Sequence, residues 1–378
     1  MFGATGHRGE LWLIEAGIVR KAGLHCKVQS ARENGRSRKA LSQPLSGLSW
    51  LKVRTSGSYR PGASTNIDLS GEVVPRRRSR LISVCPGPML DFDFAAPESL
   101  STALKLLSEH AGAARPLAGG TDLIDYVRTG RLAAKVLVDV KRIPELRVLQ
   151  LDGQMLRLGA AVPCCEVYEH ADVRRLFPAL IDATSIIGGI QIQSRASVGG
   201  NLCTSGPAAD STPALIALGA ECVLTSAAGS RTVPVEKFCV GPSRNILQPG
   251  ELLQEIRIPL PAAGSGSHYR RFIPRNEMDI AVVGVGAAVT LQGGTIQAAR
   301  VALGAVAPTP LFAAQVSSWL AGRAAEDATY HQAGDMARQI ISPIDDHRGT
   351  AEFRRHVTGV LVERVLREAV ARAQSATA

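Results

Sequence analysis

Aromatic residues are scarce in this sequence, at 4% of 378 positions. Ala, Val, Leu and Ile must therefore supply most of the packing. The sequence also lacks any CxxC pair, its seven cysteines lying at 26, 85, 164, 165, 203, 222 and 239. That spacing excludes a locally held iron–sulfur cluster, and the odd count fits a reducing compartment better than a disulfide framework. The pair Cys164-Cys165 reads as ordinary packing. No HxxxH, HExxH or Cys/His set marks a metal site. No motif supports a Ser/His/Asp or Cys/His nucleophile. No apolar run approaches the ~20 residues of a membrane helix. The N-terminus shows no charged-then-apolar signal peptide, and the RRRSR run at Arg76–Arg80 precedes only a short apolar stretch. The expectation is a soluble, cytoplasmic protein. If it is an enzyme component, a bound cofactor carries the chemistry.

Charge is present but unevenly placed. The formal net of +10 resides in residues 1–88, which hold 15 Lys+Arg and 5 Asp+Glu, while the rest balances 28 bases with 28 acids. A nucleic-acid role needs a basic face on a folded module with stacking aromatics, and neither is seen. Residues 1–88 are rich in Arg, Ser and Gly and show little hydrophobic periodicity, so low order is expected there. One helix-like piece stands out, Glu10–Lys21, with Leu11, Ile14 and Ile18 at helical spacing. Met89 opens a different texture. Two readings are open for what precedes it: an extension ahead of a natural start at Met89, or a regulatory tail.

From Met89 helical and strand patterns alternate. Phe92–Phe94 reads as a short strand, Leu100, Leu104 and Leu107 as a helical stripe opening at Pro97, and Lys135–Val140 and Met155–Ala160 as buried strands. Helices are expected over Cys165–His170 and Phe177–Ile186. A hairpin follows around residues 227–230, then a strand at Glu251–Pro259. The Pro/Ala/Gly/Ser linker at 261–267 marks a domain boundary. The predicted domains are 89–262, with subdomains near 89–143 and 144–262, and 268–373. The last domain reads as three antiparallel strands and three helical patterns near Leu311–Ala321, Ala325–Ile341 and Thr350–Ala373.

Two glycine pairs organise the middle of the chain. PLAGGTDLIDYV holds Gly119-Gly120 just before a helix start, with Thr121 and Asp122 as N-cap candidates. IQIQSRASVGGNLC holds Gly199-Gly200 between Ser197 and Asn201. Glycine turns bring backbone N–H groups close to anionic oxygens, and a helix N-terminus adds its dipole. A single such pair between strand and helix is more often only a turn. Two of matching polar composition, about eighty residues apart, point to a bound dinucleotide clasped from both sides. Neither is a GxGxxG following a strand, so a Rossmann site is not indicated. Gly284-Val285-Gly286 lies inside a strand pattern and reads as close packing. Asp210, ending SGPAAD before a helix, suits an N-cap or an acceptor for a sugar hydroxyl.

Six segments occur in the same order in a known family: LAGGTDL, IQIQSRASVGGNLC, GPAAD, PGELLQEIRIP, NEMDIAVVGVGAAV and PIDDHRGTAEFRRHV. Across about residues 89–373 the chain resembles the FAD-binding medium subunit of molybdenum hydroxylases, of the carbon monoxide dehydrogenase and xanthine dehydrogenase type. The resemblance implies an α+β fold. It comprises a two-part PCMH/VAO-like FAD-binding domain and a small C-terminal domain of a three-stranded antiparallel sheet with three helices. It implies FAD held by Leu117, Ala118, Gly119, Gly120, Thr121, Asp122 and Leu123 on one side. On the other stand Ser197, Val198, Gly199, Gly200 and Asn201, with Asp210, Leu253 and Arg271 as further contacts. Ile187 falls where a side chain packs near the isoalloxazine ring. Some members carry an aromatic residue at that position and a lysine at that of Arg271, so stacking and acceptor do not transfer.

The resemblance also implies partners. A large molybdopterin-binding subunit would carry the molybdenum cofactor and a small subunit two [2Fe–2S] clusters, in a dimer of heterotrimers. Electrons would pass to FAD here and on to NAD or a quinone. No catalytic side chain, metal ligand or nucleic-acid partner is expected in this chain. The alternatives are a stand-alone flavin oxidase of the related fold and a scaffold without flavin.

Overall fold

The computed structural model describes residues 91–376, together with the backbone of two short strands near the N-terminus. Those strands, β1 (Leu11–Glu15) and β2 (Ile18–Ala22), pair antiparallel. The helix expected over Glu10–Lys21 is therefore replaced by a hairpin. Ala16-Gly17 interrupts the helical spacing, and the β-branched Ile14, Ile18 and Val19 favour extended backbone. The remaining expectations for residues 1–88 lie outside the described residues.

From residue 91 the chain builds three sheets of three or more strands and one two-stranded sheet. The first is parallel and small: β3 (Asp93–Ala95), α1 (Leu100–Glu109), β4 (Ala114–Leu117), α2 (Leu123–Arg128) and β5 (Val136–Asp139) give the order β3-β5-β4. Central β5 reads Val-Leu-Val because both its faces are covered. α1 is capped by Ser99, whose Oγ accepts from the Thr102 N–H, rather than opening at Pro97.

The chain then forms β6 (Leu149–Asp152) and β7 (Met155–Gly159). Six short helices follow: α3 (Cys164–Glu169), α4 (Ala171–Leu176), α5 (Pro178–Thr184), α6 (Ile190–Gln193), α7 (Val198–Thr204) and α8 (Ser211–Ala217). The strands β8 (Glu221–Ser226), β9 (Gly229–Pro234), β10 (Cys239–Gly241), β11 (Arg244–Asn245) and β12 (Leu252–Pro259) complete this part. The five-stranded antiparallel sheet runs β6-β7-β12-β8-β9, with a bulge in β12 between Leu253 and Glu255. Strand β6 and helix α4 carried no clear periodicity in the sequence, being four and six residues long.

The C-terminal part is β13 (Ser265–Phe272), β14 (Val283–Gln292), β15 (Thr295–Gly304), β16 (Leu311–Phe312), α9 (Ala314–Leu320), α10 (Asp327–Gln339) and α11 (Ala351–Ser375). Its sheet has the three expected strands plus two-residue β16, in the order β13-β14-β15-β16. Leu311-Phe312 thus leaves the helix expected there. Helix α11 is 25 residues long and lies on β13 and β14, burying Val357, Leu361, Val365, Ala369 and Ala373 along one stripe.

Two large cores and two small clusters hold these parts. Leu104, Val138, Leu158, Leu180, Leu202, Leu215 and Ile256 belong to the first, and Val285, Val301, Val316, Val362 and Leu366 to the second. Helix α8 lies across β14, where a Cβ on Gly286 would sit 2.7 Å from the Pro213 carbonyl oxygen. The strand glycine is a site of close packing, as its sequence context indicates. Cys164 is fully buried, and burial pushes its thiol up to about 12.

Candidate functional site

The two glycine pairs meet. Buried Leu117 ends β4, and Ala118-Gly119-Gly120-Thr121 carries the chain into α2. Gly120 has φ +77°, a left-handed conformation that glycine adopts without cost. Gly119 lies against the backbone that leads into α7, since a Cβ there would sit 2.1 Å from the Arg195 oxygen and 2.9 Å from the Ala196 Cα. Only a residue without a side chain lets the loops touch. Lys141 fixes the loop from behind, its Nζ donating to the Ala118 carbonyl (3.1 Å) and to Asp139 Oδ1 (2.6 Å).

The second pair differs from the expected turn. Gly199 and Gly200 are the second and third residues of α7, and Ser197 is its N-cap, with Oγ accepting from the Gly200 N–H at 3.0 Å. A capped first turn was legible only as Ser197 ahead of Val198 and two glycines, and the glycines obscured it. The two glycines serve opposite ends. Gly199 faces inward, where a Cβ would lie 2.5 Å from the Ala160 oxygen. At Gly200 a Cβ would meet only Ser197 Oγ, at 3.0 Å, and otherwise open space. The N–H groups of Val198 and Gly199 have no helical acceptor. Asn201 accepts from Ser211 Oγ through Oδ1 (2.6 Å), which leaves its amide N–H donors without a partner among the described residues.

Side chains tie the two loops together. Thr204 Oγ1 lies 3.0 Å from Asp122 Oδ2 and 3.0 Å from the Gly200 carbonyl. Asp122 stands at the N-cap position of α2 but makes no cap bond, because its carboxylate is turned to α7. Thr121 is exposed and Leu123 half-buried.

At the other end of the central stretch, Ile187 is half-buried against the first core, beside Gly188 at φ +61°. Arg271 of β13 donates to the Ile186 carbonyl (3.0 Å) and to Asp210 Oδ2 (2.6 Å). Asp210 Oδ1 accepts from the Tyr269 hydroxyl at 2.7 Å. Asp210 stands at the N-cap position of α8 but makes no cap bond; it is a buried carboxylate bound on both oxygens by the neighbouring strand. Burial pushes it up to about 6, against the opposing charge of Arg271. Tyr269 is pushed well up by burial and by the same carboxylate. Leu253 is 3% exposed and belongs to the first core, on strand β12, which packs against α7.

The structure thus brings Ala118–Asp122 and Ser197–Asn201 together and joins Arg271 and Asp210 in one hydrogen-bonded set with Tyr269 and the carbonyl of Ile186, the residue before Ile187. Sequence reasoning missed Thr204, Lys141 and Tyr269. The last was detectable, since Tyr269 and Arg271 stand two apart on one face of a strand. Among the described residues no group of His, Cys, Asp or Glu could hold a metal ion. Backbone N–H groups, a glycine whose side-chain direction is open and the donors of Asn201 suit the phosphates of an extended cofactor. Fold and site define a protein that binds a dinucleotide without Rossmann topology.

Comparison with known proteins specifies the family. Residues 90–261 match the family described as FAD binding domain in molybdopterin dehydrogenase, and residues 268–369 match the CO dehydrogenase flavoprotein C-terminal domain. The chain is 32% identical over 281 residues to the carbon monoxide dehydrogenase medium chain of Hydrogenophaga pseudoflava, covering 74% of this chain and 98% of that one. It is 32% identical to the xanthine dehydrogenase FAD-binding subunit of Escherichia coli O157:H7, covering 75% and 98%. Reconstituted CO dehydrogenase from Oligotropha carboxidovorans superposes with a TM-score of 0.73 at 32% identity, covering 75% of this chain and 99% of that one. The chain belongs to the FAD-binding medium subunits of the molybdenum hydroxylases. It is a flavoprotein subunit of an oxidoreductase, its cofactor is FAD, and molybdenum and iron–sulfur centres on other subunits fit the family. Among the described residues no helix is long and apolar enough to cross a membrane.

Proposed function

We propose that this chain is the electron-transfer subunit of a molybdenum-dependent hydroxylase. Electrons arrive from [2Fe–2S] clusters of a small partner subunit and leave to NAD or a quinone-type acceptor. A large partner carries the molybdenum cofactor and the substrate, and the whole is a dimer of heterotrimers. The observation that carries this reading is the meeting of the two glycine loops, with Gly199 packed inward and Gly200 facing open space.

When bound, FAD supplies a carrier that exchanges electrons singly or in pairs. The residues of the chain bind and orient it. Leu117–Leu123 and Ser197–Asn201 would hold the pyrophosphate, using the N–H groups of Val198 and Gly199 and the Asn201 amide. Asp210, Leu253 and Arg271 line the remainder, and Ile187 packs beside the ring. Arg271 connects the two ends, because one guanidinium holds both Asp210 and the carbonyl before Ile187. An aliphatic Ile187 would cover the ring without stacking on it. No side chain of this chain is assigned a proton transfer.

Purification from the native cell with a tag on this chain tests the reading. FAD released by mild acid, in company with molybdenum, iron and two further polypeptides, is the expected result. A chain that purifies alone with covalent flavin and oxidises a small molecule by itself would be a stand-alone oxidase. One with no flavin absorbance and no FAD uptake on reconstitution would be a scaffold.

A further inference from the structure

A second basic site lies on the far side of β13 from the Arg271–Asp210 pair. Residues alternate across a strand, so Arg270 and Phe272 face away from Tyr269 and Arg271. They border an open pocket of about 370 Å³ between the end of β13, the following loop and helix α11. Four arginines line it and no acidic residue does. Two of the four are occupied: Arg271 with Asp210 and Ile186, and Arg275 with Asp279 and the Met278 carbonyl. The side chains of Arg270 and Arg364 are exposed and have no partner among the described residues. The acids beside Arg364 on α11 are taken, Glu363 by Arg367 and His331 and Glu368 by Arg372.

Two unpaired guanidiniums converging on a pocket without carboxylates repel one another unless an anion lies between them. Guanidinium forks match phosphate and carboxylate oxygens bidentately. An aromatic wall accompanies the charge. Phe272 is 36% exposed and Phe353 39%, with ring centroids 5.6 Å apart and planes at 72°. An edge-to-face pair leaves ring surface free for a planar group.

We propose that this pocket binds a nucleoside diphosphate, its phosphates between Arg270 and Arg364 and its base against Phe272. The site is separate from the glycine loops and does not depend on the flavin reading. The loop that forms its wall carries Met278, whose Sδ would lie 3.3 Å from a Cβ on Gly189, next to Ile190.

Calorimetric titration of the full-length protein with inorganic pyrophosphate and with ADP at low ionic strength tests the proposal, with flavin content measured on the same samples. Both ligands are expected to saturate, ADP more tightly. Arg270→Gln and Arg364→Gln should each weaken both ligands roughly tenfold at unchanged flavin content. Phe272→Leu should remove the advantage of ADP over pyrophosphate. No saturable heat with either ligand, or unaltered binding in the double arginine variant, would overturn the site. Equal affinity for ADP and pyrophosphate in the unmodified protein would overturn the nucleoside assignment.

Discussion

At the scale of single residues, two adjacent glycines have separate tasks. A methyl on Gly199 meets the Ala160 backbone, which cannot retreat, so Gly199→Ala should destabilise the fold by about 1–3 kcal/mol. A Cβ on Gly200 meets only Ser197 Oγ, so Gly200→Val should shift the unfolding midpoint of the flavin-free protein little and abolish FAD retention. Flavin absorbance and urea melts on both variants check this, and normal flavin content in Gly200→Val would sink the loop assignment. Asp210 makes a pH prediction. Its folded value near 6 exceeds the ordinary 3.8, so between those values the folded chain binds more protons than the unfolded one. Its contribution to stability is complete below about pH 4 and lost as pH rises through about 6. In flavin-free protein, the stability of the unmodified chain relative to Asp210→Asn should fall across that window. A flat difference would mean that Arg271 keeps Asp210 ionised throughout.

At the scale of elements, the site depends on bonds between pieces distant in the chain. Thr204 of α7 bridges to Asp122 ahead of α2, two residues that no local pattern relates. Thr204→Val removes that bridge at a cost of about 1 kcal/mol, so FAD should bind roughly fivefold more weakly while the fold persists. Equilibrium dialysis of the reconstituted protein measures it. A second link joins α5 to the C-terminal sheet. Asp182 accepts from His268 Nδ1 (2.6 Å), the Tyr269 N–H (3.1 Å) and both Nη atoms of Arg372 on α11 (2.7 and 3.2 Å). Burial raises this carboxyl, but His268 and Arg372 outweigh it and hold the group below the usual range. Asp182 therefore contributes stability above the ordinary carboxylate value that is lost as pH falls through the lowered one. Asp182→Asn should cost about 2 kcal/mol in urea unfolding at neutral pH, leaving half-buried Arg372 with only the more exposed Glu368 to match its charge.

At the scale of the whole molecule, the two family matches account for residues 90–261 and 268–369 and leave out the basic segment. The relatives are spanned to 98% of their length by about three quarters of this chain. Deleting residues 1–88 should therefore preserve FAD content and thermal midpoint. Loss of flavin in that variant would show that the segment belongs to the fold. Charge balance after residue 88 also means that attraction to an anionic partner must come from local patches, of which the Arg270–Arg364 pocket is one.

The sequence alone determined the long elements and the candidate loops. Leucine spacing marked α1, alternation and apolar runs marked β5, β12 and the C-terminal strands, and glycine composition singled out both loops. These signals are local, arising within one turn or one strand. The Glu10–Lys21 stretch shows their limit, since its apolar residues suit a helix and a hairpin alike. Only the tertiary structure decided that Gly199 packs on Ala160 while Gly200 faces outward, that Asp122 turns to Thr204, and that Asp210 is shared by Tyr269 and Arg271. Each of these rests on a contact between residues nearly forty or more positions apart. Chain closure over such distances is set by the burial of entire cores, not by the residues that touch.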